Sequence, residues 1–128
     1  ANQVYRGFSI TVKCRRKPKG ITARRRAARK AKGQRDAKAV YAAVDQRDGL
    51  RSRYSGIYAG ESIHRHHMVK RRPGNTTVEN VISLTGEEHL ERIHGLHPDL
   101  RLIGNANIPD GVQVWARVHG EWTHVRNI

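Results

Sequence analysis

The sequence predicts a small α+β fold, with its helix toward the N-terminal side and short strands through the rest of the chain. Three observations carry this. Ala37, Val40, Tyr41 and Val44 recur at i, i+3, i+4 and i+7, the apolar stripe of an amphipathic helix. Val81-Ile82-Ser83-Leu84 is a short, apolar, mostly branched run of the kind that forms a buried strand. Val112, Val114, Ala116 and Val118 alternate with polar or exposed-type residues, the period of a half-buried strand. With 128 residues, 37% of them hydrophobic and 5% aromatic, one domain with a modest core is expected over residues 1–128. It falls into an N-terminal strand and basic helix (1–50), a central part (51–104) and a C-terminal hairpin (105–128).

Val4 to Val12 alternates, with Phe8, Ile10 and Val12 on one face, and reads as a strand that Lys17-Pro18-Lys19-Gly20 breaks. Thr22 is a candidate N-cap for the helix-forming run ARRRAARKAK. Gly33 weakens that helix and is the place for a kink, and Asp48-Gly49 ends it. Glu61 to Val69 is predicted as a strand, Pro73-Gly74-Asn75 as a turn and Val81 to Leu84 as the returning strand. Thr85 with Glu88 three residues on is a capping box, so a second helix begins at Gly86. Glu87 and Glu88 suit its positive end, and Gly95 stops it. His97-Pro98 to Gly104 predicts a short helix with Pro98 in its first turn. After a loop to Gly111, two strands flank a turn at His119-Gly120, with Trp115 and Trp122 on either side able to pair across it.

The net charge of +14 is concentrated. Lys13 to Lys38 holds 13 of the 25 Lys and Arg residues and one acid, Asp36. Such a segment is the electrostatic footprint of a polyanion partner, most simply nucleic acid. It is nearly free of aromatics, so Arg24, Arg25, Arg26 and Arg29 are expected to meet phosphates rather than stack on bases. Lys70, Arg71 and Arg72 form a second, shorter basic patch. No apolar run has the length of a membrane span and no secretory signal pattern is present. The single Cys14 has no partner for an intramolecular disulfide, which fits a reducing compartment, so a cytoplasmic location is expected.

The densest information lies between Ile63 and Gly95. A histidine pair, His66-His67, ends an extended segment; a basic Pro-Gly loop comes next; Asn80 stands directly before the buried strand; His89 and His94 lie on the second helix. A hairpin and a helix would gather these groups as a one-metal hydrolytic site does. A regular strand sends His66 and His67 to opposite faces, so both serve one site only if the strand ends or twists there. His64 shares a face with His66 and reads as a surface or DNA-facing residue, and His97, His119 and His124 as ordinary loop and strand histidines.

Together with Arg47-Asp48-Gly49, Arg65-His66-His67 and Val78-Glu79-Asn80-Val81-Ile82, this pattern resembles the HNH endonucleases (ββα-metal, or His-Me finger), in particular the phage-encoded ones. The resemblance covers Val40 to Leu102, about half the chain. It implies a ββα-metal core that cleaves double-stranded DNA with one divalent ion. It implies that His66 and His89 bind the metal with His94 as third ligand, that His67 is the general base, and that Asn80 holds the His67 loop. Manganese, nickel, zinc and magnesium are the candidate ions, the last least suited to imidazole ligands. Analogy with the phage proteins adds the packaging terminase as a partner and the host cytoplasm as the location.

The sequence departs from the family pattern at two places. On a regular helix the residue one turn after His89 is Ile93, and His94, five residues on, lies about 140° round the axis from His89. Either the helix bends, or the third ligand comes from elsewhere, with His97 or solvent as candidates. Many relatives also hold a zinc with two CxxC pairs; here those positions are Ser52, Ser55, Thr85 and Glu88, so no structural zinc is expected. The rival readings are an HNH fold that binds nucleic acid without cutting it, and an RNA-binding module.

Overall fold

Residues 19–128 are described by the computed structural model. The predicted strand Val4 to Val12, Cys14 and the basic residues before Lys19 lie outside them. The chain divides into two compact units, Ala1–Asp36 and Ala37–Ile128. Among the described residues no helix is long and apolar enough to cross a membrane.

Helix α1 (Lys19–Asp48) gives its first part, to Asp36, to the first unit. It already includes Lys19, so Thr22 lies inside the helix and not at its N-cap, and it continues through Gly33. The surrounding Ala, Arg and Lys residues are strong helix formers, and a single glycine costs only about 1 kcal/mol against them. Arg24, Arg25, Arg26 and Arg29 are all exposed.

The second unit begins with the apolar stripe of α1. Ala37, Val40 and Tyr41 are partly buried and Val44 is fully buried, as the spacing predicts. The helix stops at Asp48, where Gly49 takes φ +64° and its N–H bonds the Asp45 carbonyl at 2.8 Å. Strands β1 (His64–His67) and β2 (Val81–Leu84) pair antiparallel, His64 opposite Leu84 and His67 opposite Val81. β1 is shorter than the predicted Glu61 to Val69. Gly60–Ser62 forms a 3₁₀ turn, with Gly60 at φ +57°, and four-residue β2 offers a ladder no longer than itself. Pro73-Gly74 turns as predicted, with Gly74 at φ +87°.

Every residue of β2 is buried, because it lies between other elements on both faces. Ile82 and Leu84 join Leu100, Leu102, Ala106, Val112 and Val114 in the core, with Tyr54, Met68, Ile93 and Ile128 packed around them. The far wall of that core is a three-stranded antiparallel sheet, β3 (Leu100–Gly104), β4 (Val112–Val118) and β5 (Glu121–Asn127), in the order β3-β4-β5.

Two expectations are corrected here. His97 to Gly104 is no helix: Leu100 to Gly104 is strand β3. A helix would pair Leu100 with Ile103 on one face, but Ile103 is 48% exposed while Leu100 and Leu102 both enter the core, the period of a strand. Pairing with β4 then satisfies the backbone. Nor do the two tryptophans pair. His119 and Gly120 take φ +52° and +82° in a two-residue turn that sets Val118 opposite Glu121. That register places Trp122 opposite Arg117 and Trp115 opposite His124. Trp122 packs instead under Arg101 and Arg117, whose guanidinium carbons lie 4.4 and 5.3 Å from its ring centre.

One buried carboxylate ties the helix to the sheets. Asp48 accepts from Arg47 Nε at 2.8 Å, from Arg53 Nη1 at 3.2 Å and from the Ser83 backbone N–H at 3.1 Å. Arg47 also donates to the Val81 carbonyl at 2.8 Å, and Arg53 to that of Ala106 at 3.0 Å. Burial pushes the Asp48 carboxyl up, but the two guanidiniums and the amide hold it below its usual range. Removing such a partner leaves two partly buried cations and the Ser83 amide uncompensated. Asp48→Ala should therefore lose roughly 3–5 kcal/mol in urea unfolding. Leu90→Ala, at a side chain 56% exposed, should stay within about 0.5 kcal/mol.

Candidate metal centre

The second helix begins at Gly86, as the capping box predicts. Thr85 N–H donates to Glu88 Oε1 at 3.0 Å, and Glu88 N–H to Thr85 Oγ1 at 3.3 Å. Ser52 donates its hydroxyl to the same Glu88 oxygen. Burial raises the Glu88 pKa, but hydrogen bonds from Ser52, Ser55 and Thr85 lower it more. Ser52, Ser55, Thr85 and Glu88, where no structural zinc is expected, thus form one hydrogen-bonded cluster around a carboxylate, directly before His89 in the chain.

From Glu88 to Ile93 the helix is a π-helix. The His94 N–H bonds the His89 carbonyl, five residues back, at 3.2 Å. Five residues then make roughly one turn, so His89 and His94 fall on the same side. The expected bend is not what brings them together: the turn widens instead, and His97 is exposed and stands outside the group. Gly95 permits the exit from the helix, since a Cβ there would lie 2.1 Å from the Glu91 carbonyl oxygen.

Across from the π-helix, β1 presents His64 and His66 on one face. His66 is 6% exposed. The rings of His66, His89 and His94 form a near-equilateral triangle, with centroids 5.2, 5.3 and 4.9 Å apart. One nitrogen from each lies within 4.8 Å of the others, so the three could hold a metal ion. His64 is not the surface residue expected. It is half-buried, with Nδ1 3.0 Å from His89 Nδ1, because the face it shares with His66 is the face covered by the start of the helix.

His67, the last residue of β1, alternates to the other face with Arg65. Its Nε2 lies 3.0 Å from Thr76 Oγ1, and its ring meets Tyr41 edge-on at 6.3 Å. Arg65 forms a bidentate pair with Asp45 and stacks over Tyr41 at 5.4 Å, which ties this face of β1 to α1. Asn80 closes the loop after His67. Its Oδ1 accepts from Val69 N–H at 2.8 Å, and its Nδ2 donates to the carbonyls of Val69 at 3.0 Å and Asn75 at 2.8 Å. Lys70, Arg71 and Arg72 are exposed on that loop. Thr76 and the His64 contact had no signal in the sequence: nine residues separate Thr76 from His67, and 25 separate His64 from His89.

Burial lowers His66 from its usual 6.5 to about 4, helped by its neighbours His89, His94 and His67. Burial, then His94, His64 and His67, lower His89 likewise to about 4. His67 is lowered by burial and by Arg71. Imidazoles held neutral at pH 7 are ready to ligate without first losing a proton. Their folded pKa values lie below the unfolded ones. The metal-free protein should therefore keep its full stability above pH 6.5 and lose it as pH falls through about 4, read by urea unfolding at each pH. Zinc affinity measured by competition should fall as the pH drops through about 4, where His66 and His89 take up protons, and His66→Ala should abolish it. No model of a known protein family, no curated protein and no solved structure matches the chain.

Proposed function

We propose that the protein is a divalent-metal-dependent endonuclease of the HNH kind, hydrolysing phosphodiester bonds in double-stranded DNA. The observation that carries this reading is the histidine triangle on one face of β1 and the π-helix, with His67 next in the chain where β1 ends and held by a hydrogen bond to Thr76. The donor set fits a divalent ion of the zinc, nickel or manganese type: three imidazoles, one of them exposed so that further positions stay open. When bound there, the ion stabilises the extra negative charge on the phosphate and on the leaving oxygen.

The remaining work falls to the side chains. A neutral imidazole carries one N–H and one lone pair. If His67 donates Nε2–H to Thr76 Oγ1, its Nδ1 lone pair is free to take a proton from water. The lowered His67 pKa keeps that lone pair available at neutral pH. Asn80 fixes the loop after His67 through three hydrogen bonds to its backbone. Lys70, Arg71 and Arg72 on the loop, and Arg24, Arg25, Arg26 and Arg29 on α1, supply exposed charge for the phosphate backbone.

Supercoiled plasmid incubated with the protein and Mg²⁺, Mn²⁺, Ni²⁺ or Zn²⁺ should be nicked or linearised, and EDTA should stop the reaction. Binding without cleavage under every ion would favour the non-cutting reading instead. His67→Ala should cut at least about 10²-fold more slowly while still binding DNA and metal, because it removes the proton acceptor and leaves the triangle. Wild-type rates from that variant would refute the assignment.

The basic helix gives a separate expectation. Each phosphate contact contributes a slope of about −0.9 in log K against log salt on duplex DNA. Replacing Arg24, Arg25, Arg26 and Arg29 with Ala should flatten the slope by about two to four units, equally on two unrelated duplexes. An unchanged slope would move the phosphate contacts to Lys70, Arg71 and Arg72.

A further inference from the structure

We infer that His64 is a positioning residue for the metal centre: its Nδ1 accepts a hydrogen bond from His89 Nδ1 and so dedicates His89 Nε2 to the ion. The inference rests on the reading of His66, His89 and His94 as metal ligands.

A hydrogen bond between the Nδ1 atoms of two imidazoles needs one donor and one acceptor. The contact is short, 3.0 Å, with the rings edge to face at a centroid distance of 5.3 Å. A ligating nitrogen offers its lone pair, so the proton of a neutral, ligating His89 must sit on its other nitrogen. With Nδ1 facing His64, that proton lies in the contact and Nε2 is the atom left for the ion. His64 must then accept at Nδ1 and carry its own proton on Nε2. Ligating histidines commonly have such a partner, which fixes the ring and raises its basicity; here an imidazole takes the place more often held by a carboxylate or carbonyl.

The backbone holds His64 to this task from two sides. Its pairing with Leu84 in the β1–β2 ladder sets it beside the residues that open the helix. A Cβ at position 86 would lie 3.2 Å from His64 Nε2, and Gly86 leaves that room. The partner and the ligand therefore belong to a rigid hairpin and to the helix next to it in the chain, and the hydrogen bond spans the gap between them.

The test uses the full chain with Zn²⁺ and Co²⁺ alone, without DNA. His64→Phe keeps a ring of similar size and removes the acceptor. His64→Asn places an amide oxygen near the position of Nδ1 and restores it. Urea unfolding of the metal-free variants checks that both fold. The Phe variant should bind Zn²⁺ about 10–100-fold more weakly, the range for losing such a partner, and should change the visible spectrum of bound Co²⁺. The Asn variant should recover most of the affinity and the wild-type spectrum. Wild-type affinity in the Phe variant, or equal losses in Phe and Asn, would overturn the inference while the metal site itself stands. A wild-type chain that takes up no ion would overturn the metal reading and this inference together.

Discussion

A hydrogen bond closed five residues back, in place of four, widens the helical turn at the point where two histidines must face one partner. The His94 N–H to His89 carbonyl bond is that closure, and the site depends on it. In a regular α-helix the two rings would diverge by about 140°, and at most one could face His66. With the π-turn all three imidazoles meet, and His94 lies close enough to lower the charge tolerance of His66 and His89. A π-turn is rare, and here it is held by its flanks. On one side stands the Thr85–Glu88 capping box, joined by Ser52. On the other, Gly95 lets the chain leave against the Glu91 carbonyl, and Arg92 pairs with Asp99 at 3.0 Å.

The other half of the triangle is as firmly placed. β2 is buried throughout and cannot shift without disturbing the core, and its register fixes which β1 residues face the helix. A slip by one residue would exchange His66 for Arg65 or His67. Asp48 and Arg47 anchor β2 to the end of α1 through Ser83 and the Val81 carbonyl, and Arg65 with Asp45 anchors β1 to the same helix. The hairpin thus carries the candidate ligand His66 on one face and its fastenings, with His67 at the strand's end, on the other.

That separation bears on the chemistry. His66 and His67 are neighbours in the chain with different surroundings: a buried position among imidazoles, and a half-buried one bonded to Thr76 beside a loop closed by Asn80. Burial depresses both pKa values, though its consequences differ. A neutral His66 offers a lone pair to a cation, while a neutral His67 offers one to a proton. The strand ends at His67, and beyond that residue strict alternation no longer constrains the chain.

The sequence by itself determined the amphipathic half of α1, β2, the capped start at Gly86, the Pro73-Gly74 turn and the C-terminal hairpin. Each is written in local terms: a period, a capping pair, or a turn that tolerates positive φ. It also marked the histidines and Asn80, because their residue types and order are unusual together. Only the tertiary structure decided the rest. Leu100 to Gly104 became a strand because β4 was there to pair with it, and the tryptophans were separated by a register counted from the turn. The π-turn, the place of Thr76 beside His67 and that of His64 beside His89 are contacts between distant segments, set by packing that no local period records.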